Sequence, residues 1–185
     1  TYCCSQDKGY VAISAGPSIP VGDYASTDFN NKSAGYAKPG FIADISSGYK
    51  FNKFIGITAL LRVHGNPTDD KAVEDDLTAT APDILWTVNT NGGSIVSVMF
   101  GGYGSLPLSE KVSFDARAMI GILNATTPEM KITSTFPDGS SFWQKQNSAS
   151  ASSFSYLFGA GIKFDAGKRI CLLANIDYLG ANPEF

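Results

Sequence analysis

Seven apolar stretches, at 9–17, 41–49, 54–64, 94–104, 112–122, 152–164 and 170–179, are joined alternately by very short and very long connections. That rhythm restricts the fold more than any motif in the chain. The short joins are Phe51-Asn52-Lys53, Leu106 to Lys111 and Asp165 to Lys168, whereas the long ones run Ile19 to Pro39, Gly65 to Gly93 and Asn124 to Ala151. Strands connected in this way go up and down in one sheet, with tight turns at one end and long loops at the other, the asymmetry of an outer-membrane barrel. The expected fold is all-β, an antiparallel up-and-down transmembrane β-barrel of about eight strands, seven of them evident. It occupies 9–185 as a single domain, behind an N-terminal tail at 1–8 that reads as the remnant of a signal peptide.

Each stretch also splits by residue parity, because successive side chains on a strand point to opposite faces. In 112–122, Val112, Phe114, Ala116, Ala118, Ile120 and Ile122 share one face, and Ser113, Asp115, Arg117, Met119 and Gly121 the other. In 54–64, Ile55, Ile57, Ala59, Leu61 and Val63 oppose Gly56, Thr58, Leu60, Arg62 and His64. Across all seven stretches one face carries no charge, and the other holds Asp44, Arg62, Asp115, Arg117, Lys163 and Asp177 among mainly Gly, Ser, Ala and Thr. A soluble surface would be about a quarter to a third charged. A polar face this sparse suits a crowded lumen, with the uncharged face turned to lipid. The interior of an eight-stranded barrel is only wide enough to be filled by side chains, so the three acids should be neutralised by the three bases. The expectation is a lumenal ion-pair network that plugs the barrel, in place of a diffusion pore.

Composition agrees with this and removes other classes. No apolar run reaches the 18 or so residues of a transmembrane helix, while a mean hydropathy of -0.02 is what alternating strands produce. Charged residues are 17% of the chain, below the usual quarter. A net charge of -3 supplies no basic field for nucleic acid, so no nucleic-acid partner is expected. Cys3, Cys4 and Cys171 are odd in number and define no disulfide framework. Cys3 is a lipid-anchor position only if a signal sequence precedes it. Gly101, Gly102 and Gly104 have no following helix and form no phosphate loop, and no Cys or His spacing suits a metal. No cofactor is expected.

The opening Gly9-Tyr10-Val11-Ala12-Ile13-Ser14-Ala15-Gly16-Pro17, the segment Phe100-Gly101-Gly102-Tyr103-Gly104, the segment Phe158-Gly159-Ala160-Gly161-Ile162-Lys163-Phe164 and the loop rhythm are similar, over nearly the whole chain, to the small eight-stranded outer-membrane β-barrel proteins of bacteria, often described as porin-like. The resemblance implies a bacterial outer-membrane location, an N-terminus in the periplasm, contact with outer-membrane lipid and lipopolysaccharide, and no shared biochemical activity. Such barrels have an even number of strands and close the last on the first. Here Gly180-Ala181-Asn182-Pro183-Glu184-Phe185 contains Gly and Pro and reads as a loop, so a closing strand is expected beyond Phe185. The other candidate, Ile84 to Asn89 with a turn at Asn91-Gly92, is too short to span and breaks the alternation.

Three further candidates lie at or in the long joins. His64 ends its stretch near the loop side, where a lipid hydrolase would place a His and a Ser, but no spacing identifies a partner for it. The run Asp69-Asp70-Lys71-Ala72-Val73-Glu74-Asp75-Asp76 reads as a solvated, mobile loop. Its acids Asp69, Asp70, Glu74, Asp75 and Asp76 are weak calcium candidates that lack the spacing and glycine of an EF-hand. The third long loop carries Phe136, Phe142 and Trp143, which suit recognition of an extracellular protein or surface ligand. The leading functional reading is a non-enzymatic outer-membrane barrel with a filled, ion-paired lumen and long extracellular loops for surface interaction or envelope structure. The alternatives are a soluble β-barrel that lines its cavity with the uncharged face to bind an apolar ligand, and a rim-acting lipid hydrolase at His64.

Overall fold

Strands form where the period-two alternation is strongest. The computed structural model describes residues 2–5, 8–167 and 170–185. Its strands are β1 (Tyr2–Ser5), β2 (Gly9–Ser18), β3 (Gly40–Lys50), β4 (Ile55–Gly65), β5 (Leu85–Thr90), β6 (Ser94–Pro107), β7 (Val112–Thr126), β8 (Met130–Thr135), β9 (Ser141–Gln146), β10 (Ser150–Asp165) and β11 (Ile170–Ala181), with one helix, α1 (Asp70–Thr80), between β4 and β5. Eight strands close into a barrel in the order β1, β11, β10, β7, β6, β4, β3, β2, every pair antiparallel. Seven of these are the seven stretches of the sequence. β6, β7 and β10 run several residues beyond the expected ends, so Asn124 and Ala151 belong to the wall and not to a loop.

The tight turns are built from side chains that bond their own backbone. Asn52 Oδ1 accepts from the amides of Phe54 (2.8 Å) and Ile55 (3.0 Å), which reverses the chain between β3 and β4. Ser109 Oγ accepts from the amides of Lys111 and Val112 between β6 and β7. The third short join, Asp165 to Lys168, ends outside the described residues.

The remaining strand of the wall is a correction to the sequence reading. Tyr2–Ser5, taken there as a tail, lies between β11 and β2 and closes the ring. Thr1, Gln6 and Asp7 of the same tail lie outside the described residues. β1 is only four residues long and meets β11 at 170–172 and β2 at 10–13. Towards the loops, residues 173–181 of β11 and 14–18 of β2 face each other across a slot, with no further strand between them among the described residues. The join between last and first strands is therefore filled only at its turn side.

Side-chain parity comes out as read, and the burial pattern says which face is inside. Asp44, Ser46, Thr58, Leu60, Arg62, Ser97, Met99, Ser113, Met119 and Leu157 are buried in the lumen. Leu60, Met99, Met119 and Leu157 pack into one apolar layer against Leu179. The uncharged face points outward, with Ile120 59% and Ile176 85% exposed. The uncharged face that would line the cavity of a soluble ligand-binding barrel is on the outside.

Two of the long loops are not loops. β5, β8 and β9 form a separate antiparallel sheet in that order. It continues the barrel wall: β6, β7 and β10 are neighbours below, and each is separated from β5, β8 and β9 respectively by three residues, 91–93, 127–129 and 147–149. Hydrogen bonds bridge the break, from the Asn91 amide to the Glu129 carbonyl (3.0 Å) and from the Thr127 amide to the Ala149 carbonyl (2.8 Å). Asn91-Gly92 thus connects a strand outside the barrel to one within it and is not a hairpin turn.

Slow and fast amide exchange should mark this topology. Amides of β7 and β10, each paired on both sides, are expected to exchange slowest, while alternate amides of β11 above Leu172 that face the slot exchange at least tenfold faster. Hydrogen–deuterium exchange read by NMR checks this residue by residue.

Candidate functional site

The lumen is built around one chain of charges. Asp44 on β3 and Arg62 on β4 are cross-strand partners. Arg62 Nε donates to Asp44 Oδ1 at 2.8 Å and Nη2 to Asp44 Oδ2 at 2.7 Å, a bidentate fork. The same Nη2 reaches across to Asp177 Oδ2 on β11 at 2.6 Å. Asp177 also accepts from Arg117 of β7, through Nε at 3.1 Å and Nη2 at 2.6 Å. The resulting order is Asp44, Arg62, Asp177, Arg117, with equal numbers of each sign. Ser14 Oγ adds a bond to Asp44 Oδ2 at 3.3 Å.

Glycine makes the span between β7 and β11 possible. Gly159 of β10 lies in register between Arg117 and Asp177, and a Cβ there would collide with Asp177 Oδ1 and crowd the Arg117 side chain. Gly48 and Gly56 are comparable nearer the turns, where the rings of Tyr10 and Tyr103 fill the space a side chain would take. The bulky lumenal groups face glycines across the wall, which is how a narrow interior is packed without collision.

Of the six charged residues expected in the network, four are joined in it. Asp115 instead accepts from Ser105 Oγ at 2.5 Å, and Lys163 Nζ lies 3.8 Å from Asp165 Oδ1, a longer pair nearer the turns. Parity identifies inward residues but not their height along the barrel axis. Asp115 lies two residues before Arg117 on β7 and Lys163 four residues after Gly159 on β10, which puts both nearer the turns. His64 also turns inward and is buried. Its Nδ1 has no hydrogen-bond partner among the described residues.

The acidic run is helical and structural, a second correction. Asp69 caps α1 by accepting from the Ala72 amide at 3.2 Å. Asp70 accepts from Thr90 Oγ1 at 2.6 Å, and Glu74 Oε1 accepts from the Val88 amide at 2.7 Å. Two helix carboxylates thereby occupy the outer edge of β5. Asp76 accepts from the Tyr36 hydroxyl at 2.8 Å, and Asp75 pairs with Lys71 on the helix surface. The acids point to separate partners, and no group of three or more His, Cys, Asp or Glu able to hold a metal occurs among the described residues.

The first long loop is fastened to this helix. Lys38 Nζ meets Asp69 Oδ1 at 2.9 Å, and the carbonyl of Tyr36 accepts from the Asp69 amide at 2.6 Å. Tyr36 adopts φ 49°, a left-handed conformation that few residues other than glycine enter. Burial and the Asp76 carboxylate beside it push the Tyr36 hydroxyl up to about 12, so it remains a donor. The Lys38 ammonium bonded to it, with the Ala72 amide, holds the Asp69 carboxyl below its usual range against the opposing effect of burial.

β9 is the opposite edge of the small sheet, and nothing covers it among the described residues. Every residue of β9 is exposed, with Phe142 75% and Trp143 63%. Phe142 and Trp143, read from the sequence as residues of a loop, thus stand on opposite faces of one edge strand. Phe136 starts the turn into that strand and is less exposed. Lys131 lies over the Trp143 ring, 5.4 Å from its centroid. Sequence reasoning missed the open edge because β8 and β9 are short and polar, although Pro137-Asp138-Gly139 between them is a turn signal.

A scan against models of known protein families finds none that matches this chain, and a search of curated proteins finds no match.

Truncating Arg62 to Ala leaves Asp44 and Asp177 buried without their shared partner, which should cost about 3–5 kcal/mol of stability in urea unfolding of the folded protein. The Lys38–Asp69 pair gives a pH dependence. Because the Asp69 carboxyl is depressed in the folded state, its contribution is complete above its ordinary value and is lost as pH falls through the lower, folded one. Docking of α1, followed by the fluorescence of Trp86, should weaken in that acid range, and Lys38→Ala should move the change to higher pH.

Proposed function

We propose that this protein spans a bacterial outer membrane as a filled β-barrel, and that its function lies in what the sheet and helix above the barrel contact. The observation that carries the reading is the outer wall. From one rim to the other its outward side chains are uncharged, with Ile45, Leu61, Val98, Ile120 and Ile176 in the middle belt. An exposed apolar surface of this extent would be unstable in water, whereas a bilayer is the solvent it fits. Tyr49, Phe51, Phe54 and Phe164 stand out near the turns and Phe41, Phe154, Tyr156 and Tyr178 nearer the loops, in line with aromatic girdles at two interfaces. Apart from β1, the barrel strands have between 10 and 16 residues, enough for tilted spans of about 9–11.

The lumen, crossed by the Arg62 and Arg117 ion pairs and the Leu60 to Leu157 layer, supports a plug in place of a channel. In this orientation the tight turns face the periplasm and β5, β8, β9 and α1 face outward. The partner surface we assign is the free edge of β9. An extended peptide of another protein can pair with it by strand addition, with Phe142 and Trp143 as anchors on either face.

Cell fractionation tests the location. The folded protein should remain with the outer membrane and migrate differently on a gel before and after boiling; recovery as a soluble monomer without detergent would refute it. Ile120→Arg should lower stability in lipid by about 2–4 kcal/mol if that residue meets the bilayer midplane, and scarcely change it if the wall faces water. Phe142→Ala with Trp143→Ala should abolish pull-down of surface proteins while leaving barrel stability unchanged.

A further inference from the structure

We propose that the turn-side mouth of the barrel is a binding site for a phosphate-bearing anion. The mouth opens into a cavity of about 390 Å³ lined by Lys8, Lys50, Lys53 and Lys163 together with Ser105 and Ser113, with no Asp or Glu in its wall among the described residues. The chain as a whole carries a net charge of -3, yet four of its 14 basic residues gather around this one space. One water needs only about 10–15 Å³, so the cavity admits a much larger polar group.

The lysines are not spent on each other's neighbours. Among the described residues Lys8 and Lys50 make no ion pair, and Lys53 rests over the Phe54 ring at 4.9 Å. Lys163 is nearly buried, and its one ion pair among the described residues is with Asp165 at 3.8 Å. Among the described residues the acids of the adjoining part of the lumen are Asp115, engaged by Ser105, and Asp165, beside Lys163. Among the described residues, four ammonium groups against two partly neutralised carboxylates leave a positive local field at a concave, partly desolvated site. Such a field recruits a multivalent anion more strongly than a flat surface does. A phosphate group offers several acceptor oxygens, and lysine binds phosphate as a mobile point charge. A monocarboxylate would answer only part of that charge.

Two sources supply this chemistry, a soluble phosphoanion and the headgroup of an anionic phospholipid at the membrane surface. The soluble source does not depend on the membrane reading, so its success or failure is separable from that of the proposed location. The experiment is a ³¹P NMR titration of the folded full chain with inorganic pyrophosphate, in a detergent free of phosphate, alongside lipid retention in nanodiscs of phosphatidylcholine with and without phosphatidylglycerol. Saturable pyrophosphate binding that weakens with salt, and at least about tenfold in Lys50→Gln/Lys163→Gln, is the expected result, from loss of two charge-assisted contacts. Preferential retention of phosphatidylglycerol that the same variant abolishes would assign the phosphate to lipid. If the double variant does not fold, Lys53→Gln, at an exposed turn, must by itself weaken binding. Failure to bind either probe, or binding that none of these lysine variants weakens, overturns the proposal.

Discussion

A charge cannot enter the interior of an eight-stranded barrel alone, and the way four of them enter together organises this protein. Isolated transfer of a carboxylate or guanidinium into a low-dielectric space costs far more than a domain's whole stability. Arg62 resolves this by serving two acids, Asp44 through a bidentate fork and Asp177 through the same Nη2, and Arg117 completes the neutrality. Such a network adds little net stability over a well-packed apolar lumen. Its larger effect is on register. A slip of one residue between β3 and β4 would move Asp44 or Arg62 to the outer face and leave the rest unpaired. The network therefore selects one alignment of β3, β4, β7 and β11 from the alternatives that apolar alternation alone would tolerate.

The same steric economy governs the rest of the lumen and the structure above it. Where a long side chain crosses, the facing strand supplies glycine, as Gly159 does for Asp177 and Arg117. Beyond the rim β5, β8 and β9 keep the order of β6, β7 and β10 in the barrel, so the outer sheet inherits its alignment from the wall instead of specifying its own. α1 then covers one edge of that sheet with the carboxylates of Glu74 and Asp70, and β9 is left as the other. An edge blocked on one side and open on the other gives the outer sheet a single direction in which it can be extended.

The seven long barrel strands were legible in the sequence because period-two alternation is a local signal that parity reads directly. Which face is inward followed from charge: Asp44, Arg62, Arg117 and Asp177 all lie on the sparse polar face, and all are in the lumen. Height along the barrel was not legible. It depends on the stagger between strands far apart in sequence, and so Asp115 and Lys163 were grouped with partners they do not reach. α1 was missed because its acids resemble a solvated loop. Their helical role appears only when Lys38, Tyr36, Val88 and Thr90 from other segments supply the partners. β1 was missed because four residues carry too little pattern to distinguish a strand from a tail.

Everything about function turns on whether the uncharged wall meets lipid. The most direct measurement places single nitroxide labels along β7 from residue 113 to 122 in protein reconstituted in bilayers, and compares collisions with oxygen, which concentrates in lipid, and with a water-soluble nickel complex. The account predicts a period of two: oxygen access high at Phe114, Ala116, Ala118, Ile120 and Ile122, and low access to both reagents at Asp115, Arg117, Met119 and Gly121. High nickel access at the outward positions, with no preference for oxygen, would contradict it and return the wall to water.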